Sequence, residues 1–105
     1  MTIAQTTLKI DDLDRVIHER ARLAIMSALV AGGETPFLDL KSIVGLTDGN
    51  LSVHLRILEE AGYVSIDKSF VDRRPHTRIR LAPAGRRAFT KYLAVLERIV
   101  AKVRR

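Results

Sequence analysis

The stretch LTDGNLSVHLRILEEAGYV, Leu46 to Val64, decides how the chain on either side of it must fold. Thr47 is a good N-cap, Asp48 suits the positive end of a helix dipole in the first turn, and Asn50 falls at the third helical position. A helix is therefore expected from Asp48 to about Ala61, with Gly62 as its stop. Leu51, Leu55 and Leu58 recur at spacings of four and three and must face a core. Asn50, Ser52, Val53 and Arg56 then face outward, with His54 at the border. A hydrogen-bonding face on a short, abruptly ended helix is a candidate recognition surface.

Working outward, the segment LDLKSIVG before this helix reads as a two-turn helix closed by Gly45, with Leu40, Ile43 and Val44 inward. Phe37, just before it, is expected to start a short bridge-like strand. The two helices joined by the turn GLT form a helix-turn-helix unit, whose second helix presents its N-terminal half where base edges are read in a major groove. On the other side, YVSIDKSF (Tyr63 to Phe70) alternates as an amphipathic strand, and TRIRLA alternates again with Ile79 and Leu81 on one face. Between them VDRRPH is expected to be a hairpin tip carrying Arg73 and Arg74. A helix-turn-helix followed at once by a basic β-hairpin is a winged helix, with the tip as the wing.

The N-terminal flank DDLDRVIHERARLAIMSALVAGG reads as one substantial helix capped by Asp11 or Asp12 and ended by Gly32 and Gly33. Its apolar run Leu23 to Val30 fits either a core element or a subunit contact. The C-terminal flank starts at Pro83, a favoured first helical residue, and reads as a helix of about 23 residues, about 34 Å long. Along it Phe89, Tyr92, Leu96, Ile99 and Val103 repeat at spacings of 3, 4, 3 and 4, with Leu93 and Val100 beside them. This is an a/d seam over about two heptads, expected to pack against a second subunit rather than its own domain.

Composition sets the limits. A chain of 105 residues with 47% hydrophobic content fills one modest core. One domain spanning 1–105 is expected, with residues 1–10 a flexible N-terminus and 83–105 the dimerisation helix. Cysteine is absent, which excludes a disulfide framework and a thiolate metal site and fits a reducing, cytoplasmic compartment. No signal peptide or membrane span is legible. The formal net charge of +6 is unevenly spread. Residues 1–67 hold six Lys or Arg against ten Asp or Glu, whereas residues 68–105 hold twelve against two. A concentrated basic segment on a folded domain points to a polyanion partner.

The motif SxHLxxLxxAGxV, here Ser52 to Val64, followed by the basic hairpin and by TxxxLxPxG, here Thr77 to Gly85, resembles the winged-helix DNA-binding domains of bacterial and archaeal transcriptional regulators in the neighbourhood of the ArsR and MarR families. The likeness runs from about Val16 to Tyr92. It implies a mainly α fold with a small β-hairpin (α+β), a winged helix-turn-helix with a long C-terminal dimerisation helix. It implies further a homodimeric repressor or activator on an inverted repeat in double-stranded DNA, with Asn50, Ser52, Val53, His54 and Arg56 on the recognition helix. Arg73, Arg74 and His76 would sit on the wing, 68–80, where Lys68 and Thr77 are further candidates for DNA contact. Two features depart from the pattern. Ala82 stands where similar sequences often carry a capping Thr, and the cysteines of ArsR-type metal sensors are missing, so metal sensing does not transfer.

Each candidate has a plainer role beside the functional one. Asn50 and Ser52 could act only as first-turn capping groups. Arg56 could pair with Glu60 on its own helix, and His54 could be satisfied by a neighbouring backbone group. The cations of the last helix, Arg86 and Arg87 among them, read as a solvated face. No catalytic, cofactor or metal residues are expected. His18, His54 and His76 lack ligand spacing, no Ser or Cys nucleophile has a base beside it, and AGGE lacks the residues of a phosphate-cradling loop. The competing expectation is a winged helix used as a protein-interaction module for an acidic partner. Membrane attachment through the last helix is weaker, and no small-molecule effector is legible.

Overall fold

The computed structural model describes residues 8–104, so the first seven residues of the expected flexible N-terminus, and Arg105, lie outside the described residues. The described residues open with a 3-10 turn, Ile10–Asp12, and an irregular segment. Then follow α1 (Arg20–Gly32), β1 (Thr35–Pro36), α2 (Phe37–Val44), α3 (Asp48–Glu60), β2 (Val64–Val71), β3 (Arg74–Leu81) and α4 (Pro83–Val103). The three strands form one antiparallel sheet in the order β1-β3-β2. β2 and β3 pair in continuous register from Val64↔Leu81 to Val71↔Arg74, while β1 adds only Thr35↔Ile79 and Pro36↔Arg78 to the other edge of β3. This is a winged helix with a long C-terminal helix.

The expected first helix is shorter than its apolar pattern suggests. Asp14 turns its carboxylate back to accept from the backbone N–H groups of Val16 and Ile17 at 2.9 and 3.0 Å, a local bond that competes with helix. Neither Asp11 nor Asp12 caps α1. Glu19 does, accepting from Arg22 N–H at 2.8 Å, so α1 starts at Arg20. Two further expectations are corrected nearby. The bridging strand is Thr35–Pro36 and Phe37 already opens α2, because Pro36, with φ −62° and ψ 146°, is the residue before the first turn. In α2 Leu40 is buried and Val44 packs on the core, but Ile43 is exposed, since a two-turn helix on the surface has room for only one inward row.

α3 follows the expectation closely. The Thr47 hydroxyl accepts from Asn50 N–H at 3.2 Å, and Leu51, Leu55 and Leu58 are all buried. The helix closes on a paired motif in which Tyr63 N–H reaches Leu58 C=O and Gly62 N–H reaches Glu59 C=O, both at 2.9 Å. Gly62 holds φ +81°, which only glycine adopts without cost. The chain therefore reverses directly into β2. A core of Ile17, Ile25, Met26, Leu29 and Leu40 joins the α3 leucines, Val64, Ile79, Phe89 and Tyr92. α4 reaches that core because Gly85 lies against the Tyr63 backbone. A Cβ there would stand 2.1 Å from the Tyr63 carbonyl oxygen.

Candidate nucleic-acid interface

The buried leucine row fixes the rotation of α3, and the opposite row follows from it. Asn50, Ser52, Val53 and Arg56 are all exposed. Among the described residues Arg56 forms no ion pair, so the intrahelical bridge to Glu60 is not made. His54 is different. It is half-buried against α1, with Nδ1 3.2 Å from the Arg22 guanidinium and 3.7 Å from the Glu19 carboxylate. It is thereby satisfied by side chains rather than by the neighbouring backbone group of the plainer reading. Burial raises the Glu19 pKa, but the Arg22 and Ala21 N–H groups and the charges of His54 and Arg22 outweigh it, and the net shift is downward. The cluster ties α3 to α1.

Across from α3, the hairpin leaves the body. Residues from Asp67 to the tip are exposed on β2, and on β3 only Thr77, Ile79 and Leu81 are less than fully exposed. The tip is tighter than a six-residue loop, with Arg74, Pro75 and His76 already in β3. Only Asp72 and Arg73 form the turn, at φ 51° and 67°, the two positive values that a type I′ hairpin turn requires. Strand alternation then sorts the candidates. Lys68 and Thr77 pair on the face that continues from the core residues Val64, Ile66 and Ile79. Arg74 and His76 lie on the opposite face, opposite Val71 and Ser69.

A groove of about 460 Å³ separates α3 from this hairpin. Phe37, Leu55 and Ile66 form its floor, and Ser52, Arg56, Glu59, Lys68 and Thr77 its walls. The groove thus joins Ser52 and Arg56 of α3 with Lys68 of β2 and Thr77 of β3. The back face of the hairpin carries cations that are already engaged: Arg78 Nε lies 3.0 Å from Glu34, and Arg80 lies 3.8 Å from Asp67. Among the described residues Arg56, Lys68, Arg73 and Arg74 form no ion pair and are available to an anion. Two residues escaped the sequence reading. Glu59 lines the groove three positions after Arg56, a spacing that was legible. Phe70 shares the phase of Val64 and Ile66 and so reads as inward, yet it is 74% exposed because the strand runs beyond the body.

On α4 the apolar stripe divides. Phe89 and Tyr92 are buried in the core of their own chain, so the structure takes these two off the outward seam expected of them. Leu96 is half-buried against the same core and Ile99 is half-buried. Leu93, Val100 and Val103 are 40%, 45% and 79% exposed. Among the described residues of the helix none beyond Val95 is buried, so the distal half overhangs the body.

Comparison with known proteins agrees with this geometry. Residues 21–100 match the family described as winged helix DNA-binding domain. The uncharacterized protein MJ0432 of Methanocaldococcus jannaschii is 37% identical over 79 residues, which are 75% of this chain and 86% of that protein. Among solved structures, the transcriptional regulator homologue protein from Pyrococcus horikoshii OT3 superposes with a TM-score of 0.81 at 29% identity, over 86% of this chain and 89% of that one. A MarR-family transcriptional regulator from Silicibacter pomeroyi superposes with a TM-score of 0.62 at 22% identity, over 93% of this chain and 61% of that one, a likeness of fold.

Proposed function

Because the chain belongs to the winged-helix DNA-binding domain family, we propose that it regulates transcription as a homodimer bound to an inverted-repeat operator. α3 enters the major groove of each half-site, and the hairpin lies on the adjacent backbone or minor groove. The observation that carries this reading is the pairing of two surfaces across one groove, Ser52 and Arg56 from the outward row of α3 against Lys68 and Thr77 of the wing, with Arg73 and Arg74 free of ion pairs among the described residues at the wing tip. Arg56 has the length and fork to take a guanine edge, worth about 1–3 kcal/mol of discrimination against the wrong base. His54, tied to Glu19 and Arg22, orients the helix and can lend its remaining ring nitrogen to a phosphate. The wing cations meet a narrow groove where negative potential is concentrated.

The overhanging end of α4, with Ile99, Val100 and Val103, and the exposed Leu93 before it supply the subunit contact, and two-fold symmetry then sets the half-sites about 34 Å apart. Fluorescence anisotropy against the gene's own upstream DNA and a scrambled duplex, across a salt series, tests the proposal. Preference for the promoter at two chains per duplex supports it. Equal affinity for both duplexes would reduce the protein to a generic basic surface. No binding even at low salt would favour a module for an acidic protein partner, in which Arg56→Ala weakens the partner rather than DNA.

A further inference from the structure

We propose that the wing acts on DNA as a wedge, with Phe70 and Pro75 entering the minor groove one strand pair behind the cationic turn that carries Arg73 and partly unstacking one base step. The inference rests on the reading of the protein as a DNA-binding regulator and adds to it a mode of recognition.

The hairpin geometry builds the wedge. Val71 and Arg74 close the two-residue turn as a hydrogen-bonded pair, so the next pair, Phe70↔Pro75, is of the non-hydrogen-bonded kind. Proline fits that position because its missing N–H is not asked to bond its partner strand. Side chains in such pairs stand closest together, and the rings of Phe70 and Pro75 share one face. That face is the one continuing through Lys68 and Thr77 into the groove beside α3, so the pair is turned toward whatever α3 binds. Phe70 is 74% exposed, and Pro75 is exposed beside it. The Phe70 ring lies outside the core, so core burial among the described residues does not account for it.

Charge selects the occupant. Arg73 in the turn beyond the rings and Arg74 on the opposite face of the strand form no ion pair among the described residues and suit phosphates, and a minor groove offers phosphate walls on both sides of an apolar floor of stacked bases. Apolar side chains inserted from that groove part base steps and kink the duplex toward the major groove, which here would wrap DNA onto α3. Flexible pyrimidine–purine steps yield at least cost, so the wedge would favour a TA or CA step at a position where no base edge is contacted.

Burying the Phe70 ring and unstacking a step are opposing effects of similar size, so Phe70→Ala should change affinity for the promoter by less than about tenfold. The shape of the DNA is the sharper readout. A set of promoter duplexes carrying 2-aminopurine at successive steps should brighten at one step per half-site when the wild-type protein binds, and Phe70→Ala should abolish the brightening while keeping promoter preference. Because Phe70 is exposed, the variant should melt at the wild-type temperature. Replacing the brightened step by GC should weaken the wild type and leave Phe70→Ala unaffected. Promoter-specific binding without brightening at any step, or brightening that survives Phe70→Ala, overturns the wedge and leaves the regulator standing. Absence of promoter preference in the wild type overturns both.

Discussion

Arg73 holds φ 67° at the wing tip, a left-handed conformation that costs a residue with a Cβ about 1–2 kcal/mol, and glycine would occupy it freely. A strained cation at an exposed tip is an observation that invites a functional reason. Arg73→Gly separates backbone from charge. The turn becomes Asp-Gly, which suits type I′, and the relief is offset by about 0.5–1 kcal/mol of added chain entropy, so stability should rise slightly or stay level. DNA affinity should fall nonetheless. Thermal melts beside anisotropy measure both, and a variant that binds as well as wild type would leave the Arg73 side chain without a role on DNA. Tyr63 shows the other use of a single residue. Burial, then the hydrogen bond to the Asp14 carboxylate at 2.5 Å, pushes its hydroxyl from 10.0 up to about 12, and Tyr92 moves in the same direction. The folded chain keeps these protons where the unfolded chain releases them, so the Tyr63 contribution is complete below pH 10 and is lost as pH rises through about 12, with Tyr92 adding to the loss above pH 10. Tyr63→Phe should flatten that alkaline loss, leaving the part Tyr92 carries. Urea midpoints over the window decide it, and an undiminished slope would remove the Asp14–Tyr63 bond as the cause.

Between elements, the decisive contact is the approach of α4 to the turn after α3. The Tyr63 carbonyl accepts from Ala82 N–H at 2.9 Å and leaves no space for a Cβ on Gly85. Gly85→Ala should therefore destabilise the domain by about 1–3 kcal/mol despite alanine's better helix propensity, and a neutral result in denaturant titration would contradict the packing. One residue group earlier, Ala82 occupies the N-cap with extended backbone and no side-chain bond to offer. Ala82→Ser should stabilise the helix by about 1 kcal/mol, a rise in Tm of about 4–8 °C. Legibility followed agreement between signals at this scale. α3 was readable almost to the residue because the Thr47 cap, the leucine spacing and Gly62 all point to the same helix. α1 was overextended because Asp14 and Glu19 spend their carboxylates on a turn and a late cap, and apolar periodicity does not register that choice. The outward face of α3 followed from the leucine row alone. The reach of the hairpin did not, since alternation gives the phase of Phe70 but not the distance at which the body ends.

For the whole molecule, charge and overhang combine into one quantity that can be measured. The chain extends over 62 Å in its longest direction against 23 and 21 Å across, and the exposed apolar residues of distal α4 lie beyond the last buried position, Val95. A dimer formed there doubles every cationic contact with one duplex. Each neutralised phosphate contributes about −0.9 to the slope of log affinity against log salt. If Arg73 and Arg74 each hold a phosphate in both protomers, the Arg73→Ala, Arg74→Ala double variant loses four contacts and the slope becomes shallower by about 3.6. A charged substitution in the overhang, Val100→Asp, acts differently. It leaves the interface of each chain intact but separates the chains, so sedimentation should report a monomer whose salt slope is about half that of the dimer. The two variants thus divide one observable between wing and subunit contact. A Val100→Asp protein that still sediments as a dimer would move the contact off distal α4, and a double variant with the wild-type slope would take the wing off the phosphates whatever the oligomeric state.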